Sequence, residues 1–508
     1  MIKHKILYKD TKLFSKLISD YLDDNDRLTP FVNYFPSLGN FKKQTQQKKQ
    51  ENVNRNVLVQ SLKKQNNFLS LSDKSNENID LLNSENTFTV TTGHQLCLFT
   101  GPLYFIYKII STINLSEKLN KEFPENNYVP IFWMASEDHD FQEINHINIF
   151  GKKIVWNSDQ KGAVGKMKTD GIKSLIEELK MIFNDDENDI INIFENSYLK
   201  HDNLSDATRF LINELFGKYG LVIIDGDDKK LKSEFISVMK KDIIEKSYFK
   251  TIRSTTNKLS ENYKPQAFSR EINFFKLSEG KRERITGVIS EEEIENYPEN
   301  FSPNVLIRSL YQEMILPNIA YVGGGAEVAY WMQLKDVFLQ EKISFPILLL
   351  RNSVMWIDEK DIKRWLSFGF KYEEMFLDEH HLHKLFVENK YSFSLNKEKI
   401  EIKQIFKKII EKTKDNGLIA SIESELKKQI NSISKLEKKI LKSEKQKHET
   451  SLKQISKIKS KMFPNKTLQE RFDNFIPQYF KHSGTFIKTL KEELNPLDTN
   501  FLILSDKK

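Results

Sequence analysis

Two short apolar runs, 88–92 (FTVTT) and 129–135 (VPIFWMA), are rich in β-branched and aromatic residues and bounded by glycine or proline. Both read as strands. Between them Leu103, Ile106, Tyr107, Ile110, Ile113, Leu115 and Leu119 recur at three- and four-residue spacing, which predicts a helix over 103–119. Strand, loop, helix and strand within about fifty residues make a βαβ unit with parallel strands and a right-handed crossover. In open parallel sheets ligands gather beyond the carboxyl ends of the strands. Those ends carry Thr91-Thr92-Gly93-His94-Gln95 and Ser136-Glu137-Asp138-His139-Asp140, so both loops are expected to face one crevice.

The same pattern organises the rest of the chain. Residues 1–87 read as a mostly helical, polar segment, and 88–395 as an α/β core with a parallel sheet. The core is interrupted by insertions near 150–200 and 260–300, the second holding small strands at 274–276 and 284–288. A helix over 204–219 leads into a buried strand, 220–225, that ends in Asp225-Gly226-Asp227-Asp228. Such a run can hold Mg²⁺ or ribose hydroxyls; a turn capping the next helix is the favoured reading. Further on come a helix over 305–314, a strand over 319–322, the glycines 323–325, a helix over 328–338 and a strand over 345–350. Residues 396–465 show roughly heptad apolar spacing in two helices joined at Asp415-Asn416-Gly417, which predicts an antiparallel helical hairpin of coiled-coil type. A polar interruption falls at Ser443, Lys447 and Thr450. The segment 466–508 is expected to pack back on the core.

Composition narrows the function. The chain of 508 residues has one cysteine and a formal charge of +7. A lone Cys97 excludes a disulfide framework and a cysteine-based zinc cluster, and reads as a buried small hydrophobe. No run approaches the length of a membrane span, so a soluble, cytoplasmic protein is expected. The segment 396–465 holds 19 Lys against 9 acidic residues. The charge excess therefore lies on the coil and says little about what the core binds. Because those lysines alternate with glutamate, a solvated helix face is favoured over RNA binding.

Five segments in fixed order, TTGHQLCLFTGPLYFIYKI, VPIFWMASEDHDFQEINH, SPNVLIRSLYQE, LPNIAYVGGGAEVAYWMQL and EKQKHETSLKQISKIKSKMFPN, resemble the cysteine-adding enzymes of bacillithiol biosynthesis, the BshC family. The resemblance spans about 88–480. It implies a Rossmann-like core resembling class I nucleotidyltransferases, two connecting insertions and a coiled-coil domain supporting a homodimer. It also implies a ligase that joins cysteine to glucosaminyl-malate through an amide bond. His94, Cys97 and Ser309 depart from the commoner family residues.

Amide formation needs a carboxyl oxygen turned into a leaving group, usually by phosphoryl or adenylyl transfer from ATP, with Mg²⁺ as its companion ion. The candidate nucleotide and phosphate contacts are Gly93, His94, Gln95, Gly101 and Lys108, with Gly323, Gly324 and Gly325 opposite; a glycine loop before a helix exposes N–H groups to anions. Each glycine also has a plain reading as a tight turn. Asp138, His139 and Asp140 are the catalytic candidates, since flanking carboxylates favour a charged histidine that could relay a proton. The alternative is that the two aspartates cap a helix. Asn304, Arg308, Glu327 and Arg351 are the substrate-binding candidates, with Arg308 equally able to pair with Glu327. A second enzyme reading, a metal-assisted hydrolase on Asp138, His139 and His146, relies on His139, Glu143 and His146 sharing a helix face. The non-enzymatic rival is an RNA-binding or assembly protein using the coil.

Overall fold

The computed structural model describes residues 2–185, 188–278, 280–391, 394–482 and 484–505. The chain forms two compact units, one of residues 7–354 with 469–502, the other of 1–6 with 355–468 and 503–508.

The larger unit is built on five strands: β1 (Thr87–His94), β2 (Asn127–Met134), β3 (Val222–Asp225), β4 (Asn318–Gly323) and β5 (Ile347–Leu350). Their order is β5-β4-β1-β2-β3 and every neighbouring pair is parallel. Strands covered on both faces read as continuous apolar runs, which is why they were visible in the sequence. The helices that matter for the site are α1 (Tyr104–Glu122), α2 (Val305–Ile315) and α3 (Gly325–Met332). Phe88 and Val90 of β1, Leu115 and Leu119 of α1, Ile319 and Val322 of β4, and Ile347 and Leu349 of β5 share one buried cluster. Burying a side chain of this size stabilises by about 1.5–3 kcal/mol, so the cluster fixes α1 against the sheet.

Between β1 and β2 the two strands stay in register from Thr87 opposite Asn127 to His94 opposite Met134. The β1–β4 pairing shifts by a residue near Asn318. There Thr89 and Thr91 hydroxyls donate to Asn318 Oδ1 at 3.0 and 2.8 Å, satisfying a buried amide oxygen. From β1 the chain adds β2 and β3 on one side and then β4 and β5 on the other. A crevice at such a reversal is where open sheets bind ligands.

The first insertion opens with an antiparallel hairpin, His146–Ile149 with Lys152–Val155. The second carries a three-stranded antiparallel sheet of Lys281–Arg284, Phe274–Ser278 and Phe301–Pro303. Its hairpin turns earlier than the expected strand at 284–288, with Gly280 at φ +69°, a conformation glycine adopts without strain. The expected single helix over 328–338 is two, Gly325–Met332 and Lys335–Gln340. Gln333 spends its side chain at the break, accepting from the N–H groups of Gln266 and Ala267.

The smaller unit contains the helices Asn396–Glu411, Asn416–Lys447 and Glu449–Met462. Asp415 Oδ1 accepts from Gly417 N at 2.7 Å and starts the second of them. The expected polar interruption coincides with a helix break at His448. Ile400, Ile405, Leu418 and Leu436 are exposed on these helices. Residues Ile2–Leu7, Asn500–Ser505 and Val354–Trp356 form a three-stranded sheet. Among the described residues no helix is long and apolar enough to cross a membrane.

Candidate active site

A cavity of about 790 Å³ opens at the carboxyl ends of β1, β2 and β4. Of the residues singled out from sequence, Gly93, His94, Gln95, Lys108, Asp138, Asn304, Arg308, Gly324, Gly325, Glu327 and Arg351 line it. The loops after β1 and β2 meet directly, because Gln95 Nε2 donates to Asp138 Oδ2 at 2.7 Å.

The end nearest β4 is buried and basic. Lys108 reaches from α1 to the Gly93 carbonyl and donates to both Glu327 oxygens at 2.9 and 2.8 Å. Glu327 Oε2 also accepts from Gly324 N at 2.8 Å, and Oε1 from the Tyr321 hydroxyl at 2.6 Å. Burial alone would raise this carboxyl; Lys108, the Gly324 N–H and Tyr321 outweigh it and hold it at about 2. Lys108 is therefore an ion-pair partner here and not a free phosphate ligand. Glu327 belongs to Lys108, which corrects the expected Arg308–Glu327 pair. Arg308 donates to Gln312 Oε1 at 3.2 Å and lies 5.6 and 5.9 Å from the ring centres of Trp133 and Tyr321. Among the described residues it forms no ion pair with a carboxylate. Asn304 caps α2, its Oδ1 accepting from Leu306 N and Ile307 N at 3.0 and 3.1 Å.

Arg351 makes a two-pronged pair with Glu470, at 3.1 and 2.7 Å, and its guanidinium lies 5.0 Å from the Tyr104 ring centre. Among the described residues its Nε is buried without a partner. Arg471, next in the chain to Glu470, lines the same cavity.

Desolvation first, and Lys108 second, push the His94 imidazole down to about 4, so the ring is neutral near pH 7. Its Nδ1 lies 3.0 Å from the Gln95 carbonyl and its Nε2 3.3 Å from the Tyr104 hydroxyl. A carbonyl only accepts, so Nδ1 carries the proton and Nε2 accepts from Tyr104.

The end nearest β2 is acidic and open. Gln95 Nε2 also donates to Glu143 Oε2 at 2.8 Å, and Glu137 and Asp138 border the cavity. Lys232, fully buried, pairs with Glu137 at 2.6 Å and Asp227 at 2.8 Å. His139 and Asp140 lie outside the cavity lining and are exposed. Asp140 precedes a four-residue helix, Phe141–Ile144, without capping it through its side chain. His139 does not stand between two carboxylates. Its Nδ1 lies 2.9 Å from an Arg282 nitrogen and 3.6 Å from Asp138 Oδ1, so the expected carboxylate-flanked imidazolium gives way to a ring beside a guanidinium.

The remaining candidates have structural settings. Gly101 stands outside the cavity; its N–H goes to the Leu98 carbonyl at 2.8 Å, and a Cβ there would lie 2.7 Å from that of Cys97. Gly323 ends β4, its carbonyl accepting from Arg351 N at 2.9 Å. Cys97 is buried, as expected, and burial drives its thiol up to about 12. Asp228 caps the helix Lys229–Ser233 by accepting from Lys230 N and Leu231 N, the reading favoured for that acidic run. His146 opens a strand, whereas the helix before it ends at Ile144. His139, Glu143 and His146 therefore share no helix face, and among the described residues no three acidic, histidine or cysteine groups converge as metal ligands.

Sequence reasoning missed Tyr104, Trp133, Glu137, Phe275, Arg282, Tyr321, Tyr330 and Arg471, all of which line the cavity. Tyr104, Trp133, Glu137, Tyr321 and Tyr330 sat inside the quoted segments. Arg282 and Arg471 lay in charged stretches without a periodic signal.

Comparison with known proteins gives a consistent result. The family model described as "Bacillithiol biosynthesis BshC, N-terminal Rossmann-like domain" matches residues 1–352, and "Bacillithiol biosynthesis BshC, C-terminal coiled-coil domain" matches 354–505. A protein of Flavobacterium johnsoniae named "Putative cysteine ligase BshC" is 41% identical, covering 98% of this chain and 99% of its own. Proteins of the same name from Flavobacterium psychrophilum and Christiangramia forsetii are 43% and 42% identical, each covering 98% of both chains.

Proposed function

The chain belongs to the BshC family of bacillithiol biosynthesis, and on that premise we propose that it is a cysteine ligase that forms a carbon–nitrogen bond between cysteine and glucosaminyl-malate. The observation that carries this reading is the division of charge in the cavity. Lys108, Arg308, Arg351 and Arg471 line one part, while Glu137, Asp138 and Glu143, with Arg282 among them, border the other. Substrates carrying both carboxylates and an amine match such a site, and a neutral or purely cationic substrate does not.

In this reading Arg308, lacking a carboxylate partner, clamps a carboxylate, as a guanidinium fork suits such planar anions. Asp138 borders the cavity beside Gln95 and is the carboxylate placed to receive the proton of the attacking amine. ATP is the proposed activator of the cysteine carboxylate. The first-turn N–H groups of α3, unpartnered within the helix, and the orphaned Arg351 Nε fit an anion of that kind. Bound there, the nucleotide would supply the leaving group, and Mg²⁺ would travel with its phosphates. The exposed apolar residues of the coil support the expected homodimer.

The test is direct. Purified chain incubated with ATP, Mg²⁺, cysteine and glucosaminyl-malate is expected to give a thiol whose mass is that of the two substrates less water. Mass spectrometry that finds no such product with any nucleotide donor would remove the proposal.

A further inference from the structure

The hairpin of the second insertion brings Arg282 to the cavity, opposite the loop after β2. Its guanidinium is almost fully shielded, 9% exposed, and packs 4.0 Å from the ring centre of Phe275. Nε donates to Ser302 Oγ at 3.1 Å, one terminal nitrogen to the Pro303 carbonyl at 3.0 Å, and the other faces His139 Nδ1 at 2.9 Å. A guanidinium carries five N–H donors and no acceptor. His139 Nδ1 must therefore accept, and these bonds use three donors. Two N–H groups are left on a side chain that borders the cavity while His139 does not. Two carboxylates face it and both are engaged: Asp138, whose Oδ1 is 3.9 Å away, accepts from the His139 N–H there and from Gln95 at Oδ2, and Glu137 pairs with Lys232.

We propose that Arg282 is an anion-binding residue of this cavity and that His139 is its positioning residue, not an acid or base. The inference deepens the ligase reading and rests on it for the identity of the anion, a carboxylate of the amino sugar or a phosphate of the nucleotide. The physical case is preorganisation. A charged donor held on three sides and packed on a ring loses little freedom when it meets an anion. The base reading of His139 requires a free ring nitrogen facing the reacting amine, but Nδ1 is occupied by a guanidinium and the ring lies outside the cavity.

Four variants of the full-length chain decide it: Arg282→Ala, Arg282→Lys, His139→Ala and His139→Asn. Asparagine restores an acceptor near the Nδ1 position but can neither take up nor release a proton. Binding of ADP and of L-malate is measured separately by calorimetry, and KM and kcat are measured in the amide-forming assay. Arg282→Ala and His139→Ala are each expected to weaken one of the two anions about tenfold or more and to raise the matching KM, with Arg282→Lys between them and wild type. His139→Asn is expected to stay within about threefold of wild type. Weakening confined to ADP assigns the contact to phosphate, and weakening confined to L-malate assigns it to carboxylate. The proposal is overturned if His139→Asn loses kcat as fully as His139→Ala, or if Arg282→Ala binds both anions as wild type does. Should Arg282→Ala not fold, the two variants at the exposed His139 decide alone. A wild type that binds these anions with the expected variant pattern but forms no amide would defeat the ligase reading and leave this one standing.

Discussion

The two ends of the cavity hold their charges by different physics. At the β4 end Lys108 faces Glu327 and Arg351 faces Glu470, all within the protein interior or at its edge and each fixed by a helix or strand end. At the β2 end Gln95, Asp138, Glu143, His139 and Arg282 bridge a loop and an inserted hairpin, and several of them meet water. A buried charge deprived of its partner is stranded in a medium that solvates it poorly. An exposed charge deprived of its partner is rehydrated at little cost. One end is therefore part of the fold as well as the site, whereas at the other the carboxylates open to solvent, Asp138 and Glu143, can change at little cost to the fold.

The sharpest way to break this contrast is to remove one carboxylate from each end. Glu327→Ala is expected to lose about 3–5 kcal/mol of stability, because it leaves Lys108 unpaired in the interior. Asp138→Ala is expected to lose no more than about 1 kcal/mol while suppressing amide formation. Urea unfolding followed by circular dichroism measures both, and equal losses would abolish the distinction. Arg308→Ala tests the boundary between the two ends. It removes a cation without a carboxylate partner, so KM for the acidic substrate should rise about 10- to 100-fold, with the unfolding midpoint changed little.

The last effect expected is in the pH dependence. His94 is held down at about 4 by burial and Lys108, against about 6.5 for an unfolded histidine. Between those values the unfolded chain binds a proton that the folded chain refuses, so stability rises with pH. The contribution is complete above about 6.5 and is lost as pH falls through about 4. His94→Gln should flatten the stability profile across that window. Glu327, held at about 2, gives its full contribution above the ordinary carboxylate range and loses it progressively as pH falls from there through about 2. A profile for His94→Gln that matches wild type would show that the buried end does not set the acid response.

What the sequence revealed and what it hid follow the same division. Strands β2 and β4 were legible because strands buried on both faces leave near-continuous apolar runs, and β1 because its residues are mostly β-branched or aromatic. The glycines after β4 were legible because the strand-to-helix turn left them as punctuation. Pairings were not. Lys108 and Glu327 are 219 residues apart, and Arg351 and Glu470 are 119 apart, and no local pattern marks such partners. Arg282 escaped for another reason. Its strand, Lys-Arg-Glu-Arg, has no apolar alternation and is held by pairing with Phe274–Ser278, so a sequence read by periodicity placed the strand further on, at 284–288. The catalytic reading of His139 rested on its neighbours in the chain, whereas its neighbour in space is an arginine.

Glu470 has one more implication. Its carboxylate accepts from Val354 N at 3.1 Å as well as from Arg351, so the points where the polypeptide departs for the coil and comes home from it are tied by a single side chain. The whole excursion of residues 355–468 is, in topological terms, a loop with touching ends. A cut that keeps Val354–Trp356 in its sheet with Asn500–Ser505 gives protein engineers a natural seam at which to graft, shorten or exchange the coil.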